Sequence, residues 1–271
     1  MSTLYVDRRQ VDLDVEADTI VMRIDGARQG TAPLGTIVRI VIKGGGKLST
    51  RLLSKLAERG IALFVLGSRN REPTAAMLAS PSGDGALRVS QYRLSQDEQG
   101  REALSAAIVT AKSKGQRRVL SLPLQSSNDR SDQQVRRADE ALENAINLLE
   151  QPSRYPSSRA TLRGIEGSAA RQYFAGLQAY FPPSLGFEGR NKRPPRDPVN
   201  VGLSLGYTLL HAEAVQAVTA AGLDPMLGIY HDLQPGRPSL ASDLIEPARF
   251  LIDETVIELF RDDRLRAEHF T

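Results

Sequence analysis

The sequence predicts an α+β protein, with a small β-rich N-terminal domain (residues 1–80) followed by a larger all-helical domain (87–271). Three observations carry this expectation. Partly alternating runs rich in Val, Ile and Thr are confined to the stretch before Gly67. Pro81-Ser82-Gly83-Asp84-Gly85 is a turn-forming linker. Almost everything beyond that linker has the apolar spacing of helices.

Leu4-Tyr5-Val6 opens the chain as a short apolar strand, and β-type runs follow at Val11–Val15, Thr19–Ile24 and Thr36–Lys43. Asp25-Gly26 marks a turn. Ser49 or Thr50 is placed to cap a short helix over Arg51–Arg59 that Gly60 ends, and Ile61–Leu66 returns as a buried strand. Helices are expected over Gln99–Lys114, Ser131–Glu150, Arg159–Tyr180, Pro198–Ala221 and Ser242–Arg261. Pro247 falls inside the last of these, where a proline kinks a helix.

Composition narrows the class. With 271 residues the chain can bury a sizeable core, and 41% hydrophobic with 25% charged residues is ordinary for a soluble globular protein. No apolar run approaches the roughly 20 residues that span a bilayer, and no signal-peptide pattern opens the chain. The absence of cysteine excludes disulfides, thiolate metal sites and cysteine nucleophiles, and fits a cytoplasmic protein. Net charge is only +3, and it resides in residues 1–84 (12 Lys/Arg against 9 Asp/Glu), so bulk charge does not argue for nucleic acid.

The chemistry-bearing residues lie in the helical part. His231 is one of 3 histidines and follows Gly228-Ile229-Tyr230. Downstream, Asp243 and Glu246 are three apart, so on a helix they share a face, with Arg249 beside them. Glu166, in Arg163-Gly164-Ile165-Glu166-Gly167, offers a third carboxylate from another helix. Carboxylates with one imidazole make a hard site suited to Mg²⁺ or Mn²⁺, which promotes phosphodiester chemistry. The alternative is a solvated acidic helix face with a satisfied loop histidine. Zinc hydrolysis lacks an H-E-x-x-H motif, and His211 sits on an apolar helix. Gly44-Gly45-Gly46-Lys47-Leu48 fails as a phosphate loop because leucine follows the lysine, and no Gly-x-Ser-x-Gly supports a serine triad.

Residues 186–196 hold Arg190, Lys192, Arg193 and Arg196 against the single acid Glu188, stiffened by Pro194-Pro195. An extended cationic segment suits a phosphate backbone, and an ordinary charged loop is the alternative. Asp197 before Pro198 is a helix cap. Tyr173 and Tyr207 read first as core residues. Tyr207 is also a candidate to stack on a base or bind a phosphate, and Arg237 is a further candidate DNA contact.

Taken together, these segments resemble CRISPR-associated protein one, the spacer-integrating nuclease of CRISPR adaptation. The resemblance runs through Gly164-Ile165-Glu166-Gly167 with Ala169-Ala170 and Tyr173-Phe174, then Arg193-Pro194-Pro195-Arg196-Asp197-Pro198-Val199-Asn200 and Leu203-Ser204-Leu205-Gly206-Tyr207. It continues through Gly222-Leu223-Asp224-Pro225, Gly228-Ile229-Tyr230-His231 and Gly236-Arg237-Pro238-Ser239-Leu240-Ala241 to Glu246. It implies a β domain for dimerisation and partner contacts, a helical catalytic domain and a homodimer. Glu166, His231 and Glu246 would bind the metal with Asp243 in support. Many relatives carry aspartate where Glu246 stands, and the family commonly continues past a point like Thr271. The implied partners are CRISPR-associated protein two and double-stranded DNA, as incoming fragment and as repeat. The implied reaction is attack of a 3′-hydroxyl on a repeat phosphodiester, and with water in its place the site would cut DNA. Two rival readings are a nuclease on branched DNA without integration and an inactive DNA-binding scaffold. A metallohydrolase unconnected with nucleic acid leaves the basic segment unexplained.

Overall fold

A computed structural model of the chain describes residues 2–8, 10–66, 75–77, 85–125, 128–151, 158–191 and 194–270. Lys192, Arg193 and most of the turn-forming linker lie outside them. The architecture is α+β: two N-terminal sheets, then helices. Two compact units result, Met1–Arg88 with Gln216–Leu223, and Val89–Val215 with Asp224–Thr271.

In the first unit, β1 (Ser2–Asp7), β5 (Ile37–Lys43) and β6 (Ala62–Leu66) run parallel, and β7 (Ala75–Met77) adds antiparallel to β6. β2 (Asp12–Glu16), β3 (Thr19–Ile24) and β4 (Ala27–Pro33) form an antiparallel meander. Sequence periodicity missed β4, which contains almost no β-branched residues. It forms because Asp25 and Gly26, at φ 50° and 79°, make the tight turn that folds the chain back on β3. Helix α1 (Thr50–Glu58) is capped by Ser49, whose side chain accepts from Leu52 N, and sets Leu52 and Leu56 into a core with Leu13, Val15, Ile20 and Ile40. At Gly46, in the loop between β5 and α1, an added Cβ would stand 2.0 Å from Val11 O, so this glycine lets the loop backbone pass close to the chain entering β2.

Helix α2 (Gly85–Gln96) was not anticipated. The helices that follow are α3 (Glu98–Leu120), α4 (Asp129–Leu149), α5 (Arg159–Leu177), α6 (Pro198–Ala220), α7 (Ser239–Ile245) and α8 (Arg249–Arg261). Side-chain caps define several starts: Asp97 for α3, Asn128 for α4, Ser158 for α5, and Asp197 for α6 through Asn200 N at 2.8 Å. The single helix expected over Ser242–Arg261 is broken. Pro247 cannot donate an N–H, and Glu246–Ala248 winds instead as a 3₁₀ turn between α7 and α8.

The core of this unit joins Leu142, Tyr173, Leu177, Leu203, Val256 and Phe260. At its centre Asp253 of α8 accepts hydrogen bonds from the hydroxyls of Tyr173 (2.7 Å, α5) and Tyr207 (α6). Three helices are thereby pinned by one buried polar triad, whose satisfied groups fix how the helices pack.

Candidate metal centre and catalytic site

The site lies wholly within the second unit. Asp243 on α7 is fully buried at 0% exposure. Its Oδ2 accepts from the backbone N–H groups of Ile229 (2.5 Å) and Tyr230 (3.0 Å). Oδ1 accepts from His231 N at 2.9 Å and faces ring Nδ1 at 2.6 Å. With Nδ1–H pointed at the carboxylate, a neutral imidazole carries its lone pair on Nε2. Asp243 therefore shapes the loop and orients the histidine, and its own oxygens are fully engaged.

The loop admits little change. A Cβ on Gly228 would stand 2.5 Å from His231 O and 2.7 Å from Ser239 Cβ. Arg101 on α3 donates to Ile229 O from Nη2 at 3.0 Å, and Ser239 Oγ donates to Asp232 O at 3.0 Å. The Tyr230 and His231 rings meet edge to face at 5.1 Å.

Glu166 on α5 and Glu246 at the 3₁₀ turn face the same point. Each carboxylate has one oxygen held by a fixed donor: Tyr230 OH reaches Glu166 Oε2 at 2.6 Å, and Arg249 Nη2 reaches Glu246 Oε1 at 3.0 Å. The remaining oxygens converge on the Lys112 ammonium from α3, which pairs with Glu166 Oε1 and lies 2.7 Å from Glu246 Oε2. Burial works to lower the Lys112 pKa, but attraction to Glu246 and Glu166 outweighs it and the net shift is upward. Burial likewise works to raise the Glu166 pKa, and Lys112, Tyr230 and His231 together bring it below its ordinary value. Burial, then the hydrogen bond to Glu166, pushes the Tyr230 hydroxyl far up, so it stays protonated and donates.

Among the described residues, no three His, Asp or Glu side chains stand arranged around a common metal position. The donor set nevertheless fits one. Glu246 Oε2 is buried without an aligned hydrogen-bond donor, and a cationic group already sits between the two carboxylates. Hard carboxylates with a single imidazole suit Mg²⁺ or Mn²⁺.

Sequence reasoning named Glu166, His231, Asp243 and Glu246, and it put Arg249 beside Glu246. It missed Lys112, whose signal was a lysine three residues from buried Val109 and next to buried Ser113, on the inward side of α3. Missed too were Arg159 and Arg163, which hold Asp232 at 2.6 and 2.5 Å one residue from His231.

The expected DNA contacts fall differently. Arg196 is exposed, and Arg237 is half-buried with Nη1 3.3 Å from Gln234 Oε1. Arg190 is drawn inward, donating to Asn200 Oδ1 (2.7 Å) and Ser204 Oγ (3.0 Å) and lying 5.5 Å from the Tyr207 ring centroid. Tyr207, expected as a possible stacking contact, is 7% exposed, covered by Arg249 at 4.6 Å, and its hydroxyl is spent on Asp253. It is a core residue beneath the site.

Comparison with known proteins follows the same lines. Residues 4–271 match the family model described as CRISPR associated protein Cas1. A CRISPR-associated endonuclease Cas1 from Thermodesulfovibrio yellowstonii is 38% identical over 275 residues, covering 100% of this chain and 83% of the relative. Two solved structures share the fold. A casposase bound to integration product aligns with a TM-score of 0.81 at 23% identity, covering 99% of this chain and 75% of that one. A Cas6-RT-Cas1–Cas2 complex aligns with a TM-score of 0.78 at 22% identity, covering 98% of this chain and 28% of the other.

Proposed function

The chain belongs to the CRISPR-associated Cas1 family, and from that premise we propose that it is a divalent-metal-dependent DNA endonuclease and integrase, which inserts foreign DNA fragments into a CRISPR array. The observation that carries this reading is the convergence of Glu166 and Glu246 on one positive centre beside a histidine whose Nδ1 is tied to Asp243. Glu166, His231 through Nε2, and Glu246 would hold Mg²⁺ or Mn²⁺. Such an ion, when bound, polarises a phosphoryl oxygen and activates a hydroxyl.

The chain's own groups do the rest. Asp243 fixes the tautomer and direction of His231, and Tyr230 and Arg249 hold the outer oxygens of Glu166 and Glu246. The reaction exchanges one phosphodiester for another. The 3′-oxygen of the fragment bonds to phosphorus as the repeat strand's 3′-oxygen leaves, and the attacking hydroxyl's proton is released as the leaving oxygen gains one. No protein nucleophile is needed, consistent with a chain without cysteine.

The proposed partners are double-stranded DNA, a second copy of the chain, and Cas2, and the relative solved within a Cas1–Cas2 complex supports the last. Among the described residues no helix is long and apolar enough to cross a membrane. The deciding comparison uses duplexes ending in a 3′-hydroxyl or a 3′-deoxy sugar. Joining with the first only, alongside nicking of either, is expected. Cutting of branched DNA with no joining under any condition would favour a nuclease without integration.

A further inference from the structure

Lys112 has a role that the reaction above does not use. Its side chain is 11% exposed, and its two partners come from elements distant in sequence, α5 and the 3₁₀ turn after α7. The division of carboxylate oxygens is informative. Glu166 Oε2 and Glu246 Oε1 have the permanent donors Tyr230 and Arg249, whereas among the described residues Glu166 Oε1 and Glu246 Oε2 share only the lysine. Both oxygens lie within reach of one ammonium, Glu246 Oε2 at 2.7 Å, so a single positive group holds the two carboxylates together. An ammonium directs its charge along three N–H bonds, whereas a metal ion accepts donors from all sides.

We infer that Lys112 is a resident counter-charge that competes with the divalent cation for Glu166 Oε1 and Glu246 Oε2. The inference rests on the proposed metal centre. Two carboxylates gathered in a poorly hydrated place repel each other and need a positive partner to stay assembled. Lys112 supplies it before metal arrives, on a flexible four-carbon stem that can withdraw. Metal entry must displace the ammonium, so the lysine lowers apparent metal affinity while keeping the empty site in its working shape.

Mn²⁺ titration of the DNA-free full chain, by calorimetry and by electron paramagnetic resonance of unbound Mn²⁺, tests this. Wild type, Lys112→Met, Lys112→Arg and Glu166→Gln are compared, with melting temperatures with and without Mn²⁺. Loss of wild-type binding in Glu166→Gln locates the ion. Lys112→Met is expected to bind Mn²⁺ about tenfold tighter or more, to melt lower than wild type without metal, and to gain more from Mn²⁺. Lys112→Arg, whose fork can bridge both carboxylates, is expected to bind more weakly than wild type. Unchanged or weaker binding by a cooperatively melting Lys112→Met would overturn the competition. Should that variant not fold, equal or tighter binding by Lys112→Arg would overturn it. Mn²⁺ binding indifferent to Glu166→Gln sinks the metal centre itself, and the competition with it.

Discussion

Asp243 grips His231 twice with one oxygen, taking the backbone N–H at 2.9 Å and ring Nδ1 at 2.6 Å. The same side chain thus builds the loop and decides which imidazole nitrogen is left with its lone pair free. Asp243→Asn is expected to weaken Mn²⁺ binding roughly 10- to 100-fold while leaving residual binding, whereas His231→Ala removes a ligand outright. Asp243→Ala strands three loop N–H groups and should cost about 1–3 kcal/mol for each that finds no water. Calorimetric titration of the folded variants, with denaturant melts, separates the two effects. Equal Mn²⁺ affinity in wild type and Asp243→Asn would remove the orienting role.

Gly228 tests the loop by volume alone. The methyl of Gly228→Ala meets His231 O and Ser239 Cβ at well under contact distance, and neither is the free end of a flexible chain. Overpacking of this kind costs about 1–3 kcal/mol, and the displaced element is the one bearing His231. Both melting temperature and DNA-joining rate should fall. A variant as stable and active as wild type would mean that the loop is looser than these close approaches require.

Stability should carry a pH signature from Asp253. Burial raises its pKa from 3.8 to about 6, against the lowering effect of the Tyr173 and Tyr207 hydrogen bonds. The native carboxyl therefore keeps its proton to higher pH than the unfolded one. Its stabilising contribution is complete below about pH 4 and is lost as pH rises through about 6, a change of about 3 kcal/mol at 1.36 kcal/mol per unit. Denaturant melts at pH 4 to 7 should show wild type losing stability relative to Asp253→Asn across that window. Parallel curves for the two proteins would contradict it.

Glycine- and proline-marked stretches drew attention to Glu166, His231, Asp243 and Glu246, but spacing alone left a solvated acidic face open, and it was the family resemblance that joined them into one site. The structure brings Asp243 to His231, and Glu166 and Glu246 to Lys112. Lys112 was not legible, because a lysine on a helix ordinarily reads as solvated and its partner Glu166 is 54 positions away. Tyr207 illustrates the converse: periodicity put it on a helix near the site, but only packing reveals Asp253 beneath it. In the fold, β4 was hidden because pairing with β3 outweighs weak strand propensity. The break at Pro247 was readable from proline chemistry, though its 3₁₀ geometry was not.

Arg159 and Arg163 present guanidinium groups at the site's edge, currently shared by Asp232. If DNA phosphate takes the place of Asp232 on these arginines, Asp232→Ala should tighten duplex binding at low salt, and Arg163→Ala should lower the salt slope by about one. The same change in slope is expected for Lys192→Ala and Arg193→Ala. Arg190→Ala should act chiefly on stability, since that side chain is occupied by Asn200 and Ser204. Filter-binding isotherms across a salt series distinguish these cases, and an unaltered slope in Arg163→Ala would remove it from the DNA path.

The proposed metal-dependent strand-transfer site is built from Glu166, His231 and Glu246. Its most direct test follows a labelled duplex with 3′-hydroxyl ends into a repeat-bearing plasmid, with Mg²⁺, Mn²⁺ or chelator, with and without Cas2, for wild type and Glu166→Ala. Label joined to plasmid only with wild type and metal is the predicted result. Joining that persists in folded Glu166→Ala, or in chelator, would contradict that assignment.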